Sequence, residues 1–202
     1  SPAALALVPQ RVWNNLTQSL LAAIPLFIFM ASMLEKSGVI EEVFDVAYKW
    51  LGRIPGGLAV ATVVASTVLA AMVGVIGAAV VTMALVALPS MLRRGYSPVL
   101  AVGTVMAGGT LGILIPPSVL AIVYGLVANQ SVGELYLGSV FPGLVLSGLY
   151  ILFSVGYALL NPKAAPRLSP EETPTWSERW RARRSIWSPL VLIFLVLGTI
   201  FL

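Results

Sequence analysis

The sequence contains no cysteine and no histidine among its 202 residues. Disulfides, thiolate chemistry, histidine metal ligands and histidine general bases are thereby excluded. Charge is scarce too: Asp, Glu, Lys and Arg make up 10% of the chain, against roughly 25% in soluble domains. The few charges are segregated. None occurs between Arg11 and Glu35, Arg53 and Arg93, Arg94 and Glu134, or Glu134 and Lys163, nor after Arg184. Such gaps exceed the ~20 apolar residues that a bilayer-spanning helix needs. A soluble core protein interleaves its charges at helical or strand period instead. Hydrophobic residues fill 58% of the chain, so the expectation is an all-α polytopic membrane protein. The formal charge of +4 is no nucleic-acid signal, because the basic residues sit at the ends of apolar segments, where they set topology. The expected partner is the lipid bilayer, not nucleic acid.

What is present divides into four regions. Residues 1–57 hold a first transmembrane helix (Leu16 to Leu34), with Pro25 inside it and Gly38 as a stop. An amphipathic stretch, Val39 to Leu51, follows. Val39, Ile40, Val43, Phe44, Ala47, Trp50 and Leu51 share one helical face, while Glu41, Glu42, Asp45 and Lys49 lie opposite. It suits a helix flat in the membrane interface, with an ordinary packed surface helix as the alternative. Residues 58–130 open with an apolar run, Leu58 to Leu92. As one helix it would be ~50 Å long and overshoot the bilayer. It is therefore expected to fold into two arms around Gly74 and Gly77. Arg53 before it and Arg93–Arg94 after it put both ends on the cytoplasmic side. Small residues along both arms favour packing against protein. Residues 131–160 begin with "SVGE", a capping-box pattern, and form another span. Residues 161–202 hold a Pro-rich linker, then "WSERWRARRSIW" with anchoring Trp and Arg, then the start of a further span. A start at Ser1 and an end inside an apolar run suggest a piece of a longer protein.

One segment is out of character for lipid. "GGTLGILIPPS", Gly108 to Ser118, carries three glycines and two adjacent prolines inside an apolar stretch from Pro98 to about Asn129. Glycine weakens helices and proline breaks them. The expectation is a broken helix, Pro98 to about Ala107 and then Ser118 to Asn129. A break at mid-depth exposes carbonyls at the end of one half and N–H groups at the start of the next, with opposite dipole signs. Carbonyls near Gly108, Gly109, Thr110 and Gly112 suit a cation, and N–H groups near Ser118 suit an anion. No carboxylate is expected within a span, which argues against a membrane-embedded enzyme and against proton relay. Hydroxyls at depth (Ser66, Thr67, Thr82, Thr104, Thr110, Ser118 and Tyr124) and the backbone are the remaining donors.

These stretches resemble the large permease subunit of tripartite ATP-independent periplasmic (TRAP) transporters, of the ion-transporter superfamily. The likeness rests on "AIPLFIFMASMLEKSGV" (Ala23 to Val39), on Gly74 to Thr104, and above all on "AGGTLGILIPPS" (Ala107 to Ser118). It covers nearly the whole chain, which looks like most of the first of two inverted halves. The resemblance implies an elevator fold with a helical hairpin and a broken transmembrane helix. It implies Na⁺-coupled import of a small organic anion, a carboxylate or sulfonate, through the inner membrane of a bacterium or archaeon. Implied partners are a small membrane subunit, a periplasmic substrate-binding protein and the C-terminal half of the same subunit. Na⁺ is the coupling ion, with no other cofactor and no transition metal. The implied ion site uses Gly74, Gly77, Gly108, Gly109, Thr110 and Gly112, largely through carbonyls. The implied substrate contacts are Ala79, Pro116, Pro117 and Ser118. Many relatives carry hydroxyls at the hairpin tip, whereas this tip reads Gly74, Val75, Ile76, Gly77, Ala78, Ala79. A non-transporting scaffold or a passive channel subunit is the competing expectation.

Overall fold

A computed structural model describes residues 19–166 continuously and single positions beyond them. The described residues form seven helices. These are α1 (Ser19–Lys36), α2 (Val39–Leu51), α3 (Gly57–Val73), α4 (Ile76–Arg93), α5 (Pro98–Leu114), α6 (Val119–Ala128) and α7 (Val132–Leu160). The start of the first span and the linker with its Trp–Arg segment lie largely outside the described residues. Helices α4 and α7 are each long and apolar enough to cross a membrane, and α1 with α2 and α5 with α6 form bent pairs, at 61° and 41°. The chain is thus an all-α, multi-pass membrane protein segment.

Turn chemistry sets most boundaries. Gly38, Gly56, Gly74 and Gly95 all take positive φ, which side chains other than glycine resist. Ser131 caps α7, its Oγ accepting the Glu134 N–H at 3.5 Å, as the capping box predicts. Pro25 and Pro142 are accommodated within α1 and α7.

Helix α3 is the hub. Fourteen of its 17 residues are buried, and it packs against α1, α2, α4, α5 and α7. Its alanines explain how so many neighbours approach: Ala59, Ala61 and Ala65 are fully enclosed. The amphipathic α2 lays its apolar face, Ile40, Val43, Phe44 and Ala47, into this core. That face is covered by protein, the packed-helix alternative, while Trp50 stays exposed.

The base of the hairpin α3–α4 is clamped. The buried Tyr96 hydroxyl accepts the Leu58 N–H at 3.3 Å. Burial pushes this phenol above the usual tyrosine range, against the smaller opposing effect of that hydrogen bond. Nearby, the Arg94 guanidinium lies 4.4 Å over the Tyr48 ring, a cation–π contact joining the end of α4 to α2. The Ser97 N–H donates to the Ala164 carbonyl at 2.8 Å, tying the start of α5 to the chain after α7.

Candidate functional site: the hairpin tip and the helix break

Gly74 ends α3 with φ 64° and closes the helix by donating to the Ala70 carbonyl. A Cβ on Gly74 would overlap the Pro117 carbonyl oxygen. The Gly74 carbonyl in turn accepts the Val119 N–H at 3.3 Å. The hairpin tip is thus seated in the break between α5 and α6. Because the tip meets the α5–α6 pair part-way along its length, the arms reach only to that depth. Each arm, at 17 or 18 residues, is ~26 Å of helix.

The break is shorter than the sequence suggests. Helix α5 continues through Gly108, Gly109, Thr110 and Gly112 to Leu114, so the expected unwinding at these glycines does not occur. Glycine costs only about 1 kcal/mol in a helix, and here two of them serve packing. A Cβ on Gly108 would come within 2.5 Å of Ser66 Oγ on α3, and one on Gly109 would overlap the Val80 side chain on α4. The prolines make the break. The Ile115 N–H still donates to the Leu111 carbonyl at 2.9 Å. Pro116 and Pro117, joined by a cis peptide bond, have no N–H to offer the carbonyls of Gly112 and Ile113. The free acceptors therefore lie at Gly112 and Ile113: Gly112 is among the expected cation ligands, whereas the carbonyls of Gly108, Gly109 and Thr110 stay within the helix.

The other expected site residues divide. Gly112 stays with the tip: a Cβ there would lie 3.8 Å from the Ile76 nitrogen. Thr110 is turned away, donating to the Ala107 carbonyl at 2.7 Å and facing the Tyr150 hydroxyl of α7 at 3.4 Å. Gly77 is exposed with open space around it, whereas Ala79 is buried within α4. Pro116, Pro117 and Ser118 are enclosed. Ser118 caps α6, its Oγ accepting the Ala121 N–H at 3.4 Å. Its carbonyl accepts the Tyr136 hydroxyl at 3.1 Å. Direct substrate contact by Ser118 would require displacing α7, because both of its oxygens are engaged inside the fold.

The structure brings four helix ends together: the carbonyl ends of α3 and α5 and the N–H ends of α4 and α6. Val75 precedes α4 without a side-chain cap, leaving the first-turn N–H groups of α4 with no side-chain acceptor. Carbonyl ends favour cations and N–H ends favour anions. Side-chain hydroxyls contribute little, since Thr62, Thr67, Thr82 and Thr104 each donate back to a carbonyl four residues earlier. Ser66 Oγ is buried without a hydrogen-bond partner, pressed against Gly108. Tyr124 is exposed.

Two functional candidates escape sequence inspection. Tyr136 reaches the break from α7, and nothing local marks it. Glu35, at the end of α1, lies 3.1 Å from Thr82 Oγ1 of α4, whose single hydrogen it shares with the Ala78 carbonyl at 2.9 Å. Thr82 lies six residues, ~9 Å of rise, from the start of α4. The expectation that no carboxylate reaches a span is corrected: Glu35 reaches across to one from its neighbour. Among the described residues no cluster of acidic side chains could hold a metal ion.

Comparison with known proteins places this arrangement. The family model for the DctM component of tripartite ATP-independent periplasmic transporters matches residues 2–202. The chain belongs to this family. It is 36% identical over its whole length to the C4-dicarboxylate TRAP transporter large permease protein DctM of Vibrio cholerae, covering 44% of that protein. Against the protein of the same description from Pseudomonas aeruginosa it is 38% identical over 90% of its length, 41% of the relative. The ectoine TRAP transporter large permease protein TeaC of Halomonas elongata is 29% identical over 95% of the chain and is covered to 44%. The chain thus spans less than half the length of these permeases. In this TRAP permease segment the hairpin and the broken helix meet at Gly74 and Pro117. The relatives are transporters rather than enzymes.

Proposed function

We propose that this chain is the first half of the large membrane subunit of a Na⁺-coupled importer for a small organic anion. The observation that carries the proposal is the seating of the hairpin tip, Gly74, in the proline break of α5–α6. Interrupted helices meeting at mid-depth are the pattern of secondary-transporter sites. A non-transporting scaffold has no use for a break whose acceptors are left free, nor a passive channel for four helix ends closed on one another. Na⁺ would take the carbonyls at the ends of α3 and α5, with Gly112 and Ile113 supplying acceptors in place of Gly108 to Thr110. The anion would face the uncapped N–H groups at the start of α4, Ile76 to Ala78. Gly77 is open there and adds no side chain that would block approach.

The substrate is a carboxylate or sulfonate, by analogy with relatives named for C4-dicarboxylates, ectoine and isethionate. A periplasmic binding protein would deliver it, and a small membrane subunit and the remaining half of the polypeptide would complete the transporter in the inner membrane. Movement would follow the elevator scheme, with hairpin and broken helix travelling as one body because tip and break are interlocked. The test is uptake into proteoliposomes by the full-length permease with its small subunit and binding protein. Uptake should collapse when an inward Na⁺ gradient is replaced by K⁺. Uptake indifferent to the exchange would remove the coupling.

A further inference from the structure

Tyr136 has no part in the transport reading above, yet it is almost wholly buried, at 1% exposure, beside the break. It stands about one turn into α7. A tight turn brings it there: Asn129 takes a left-handed φ of 52°, and the Gln130 N–H closes on the Gly125 carbonyl at 3.0 Å. Helix α6 has only ten residues, ~15 Å of rise, so a tyrosine on the returning helix can reach its first peptide.

The Tyr136 hydroxyl donates to the Ser118 carbonyl at 3.1 Å. That carbonyl and the Val119 N–H belong to one peptide unit, which is planar and trans, so its C=O and N–H point in opposite directions. The N–H edge donates to the Gly74 carbonyl of the hairpin tip at 3.3 Å. One peptide plane is therefore held at both edges, by α7 on one side and by the tip on the other. The Ile122 N–H also reaches the Ser118 oxygen, at 3.2 Å, and aligns the carbonyl with the α6 axis. Tyr136 adds a donor from a second helix, which restrains rotation of the plane about that axis. Two donors on one oxygen also polarise the amide and strengthen its N–H as a donor to Gly74.

We infer that Tyr136 is a positioning residue for the hairpin tip, and through the tip for the cation site. It acts through the Ser118–Val119 peptide rather than on the ion. Its effect on uptake rests on the Na⁺ coupling proposed above; its grip on the tip does not. Tyr136→Phe removes the hydroxyl, keeps the ring and leaves the Ser118 carbonyl bonded to Ile122, so no buried acceptor is orphaned. In full-length permease without Na⁺, hydrogen exchange at the Val119 amide, read by mass spectrometry, should be about fivefold faster in Tyr136→Phe than in wild type, the weight of one hydrogen bond. In proteoliposomes the variant should need about fivefold more Na⁺ for half-maximal uptake, at an unchanged maximal rate. Ser147→Ala removes the 2.7 Å contact of α7 with Thr67 of α3 and serves as the comparison. It should lower the thermal midpoint while Val119 exchange and the Na⁺ requirement stay as in wild type. Unchanged Val119 exchange in Tyr136→Phe would overturn the assignment, and so would equal acceleration in Ser147→Ala, which would make Tyr136 one more brace of α7. An unchanged Na⁺ requirement in Tyr136→Phe, with wild type Na⁺-dependent, would overturn the link to the cation site. Wild-type uptake indifferent to Na⁺ would remove the coupling instead, and Val119 exchange would then decide the role of Tyr136 by itself.

Discussion

Two separate constraints meet at Gly74. Its φ of 64° lies in the left-handed region, which costs a side-chain-bearing residue ~1–2 kcal/mol. Its missing Cβ leaves room for the Pro117 carbonyl. Alanine would meet both penalties, and the backbone carbonyl it would push away belongs to the break itself. Gly77, only three residues on, meets neither: it carries an ordinary φ and open surroundings. We therefore expect Gly74→Ala to lower uptake by the full-length permease more than tenfold, and Gly77→Ala, whose methyl narrows the anion's approach without touching the seat, to lower it less. The comparison is made at equal membrane abundance. Equal activity of the two variants would show that the tip does not need its close seat. The same residue-scale logic separates the glycines of α5. Gly108 and Gly109 are filled by Ser66 and Val80 of the hairpin arms, so their role is contact between helices.

At the scale of elements, α1 and α4 are joined by one polar contact in an apolar setting, Thr82 to Glu35. A hydrogen bond to a charged acceptor contributes ~1.5–3 kcal/mol when unshared; here the hydroxyl is shared with the Ala78 carbonyl, so the contact contributes less, and its loss still leaves a part-buried carboxylate without that donor. Thr82→Val should lower the thermal midpoint of the full-length permease. Glu35→Gln, which keeps an acceptor of the same shape, should lower it less. A Thr82→Val midpoint equal to wild type would mean that water already serves the carboxylate. Elements marked by local chemistry were legible in the sequence. The amphipathic face of α2, the turn at Gly74, the Ser131 cap and the proline break each follow from residues within one or two turns. What was not legible depends on which helix lies alongside. Glu35 looked like the end of a span, and only the packing of α1 against α4 brings it to Thr82. The glycines at 108 and 109 looked like an unwound segment, because their partners lie some 30–40 residues away in sequence. Tyr136 carries no local sign that its hydroxyl will reach Ser118. Glycine permits both unwinding and close approach, and sequence alone does not choose between them. Proline has no such ambiguity, and the break falls there.

Across the whole molecule, the hub helix α3, the return arm α4 and the broken pair α5–α6 form one interlocked unit, braced by α7. The base is held at Tyr96 and the tip at Pro117, so the ends of four helices stay in register at one depth. The central claim is that these ends, and the carbonyls freed by Pro116 and Pro117 above all, hold the coupling cation. An ion that binds only the folded protein raises its stability with concentration. The most direct test is the thermal midpoint of the purified full-length permease titrated with Na⁺ at constant ionic strength against K⁺. The account predicts a rise with Na⁺ in wild type. It predicts no rise in Pro116→Ala/Pro117→Ala, whose restored N–H groups re-engage the Gly112 and Ile113 carbonyls. An identical Na⁺-dependent rise in both proteins would contradict it.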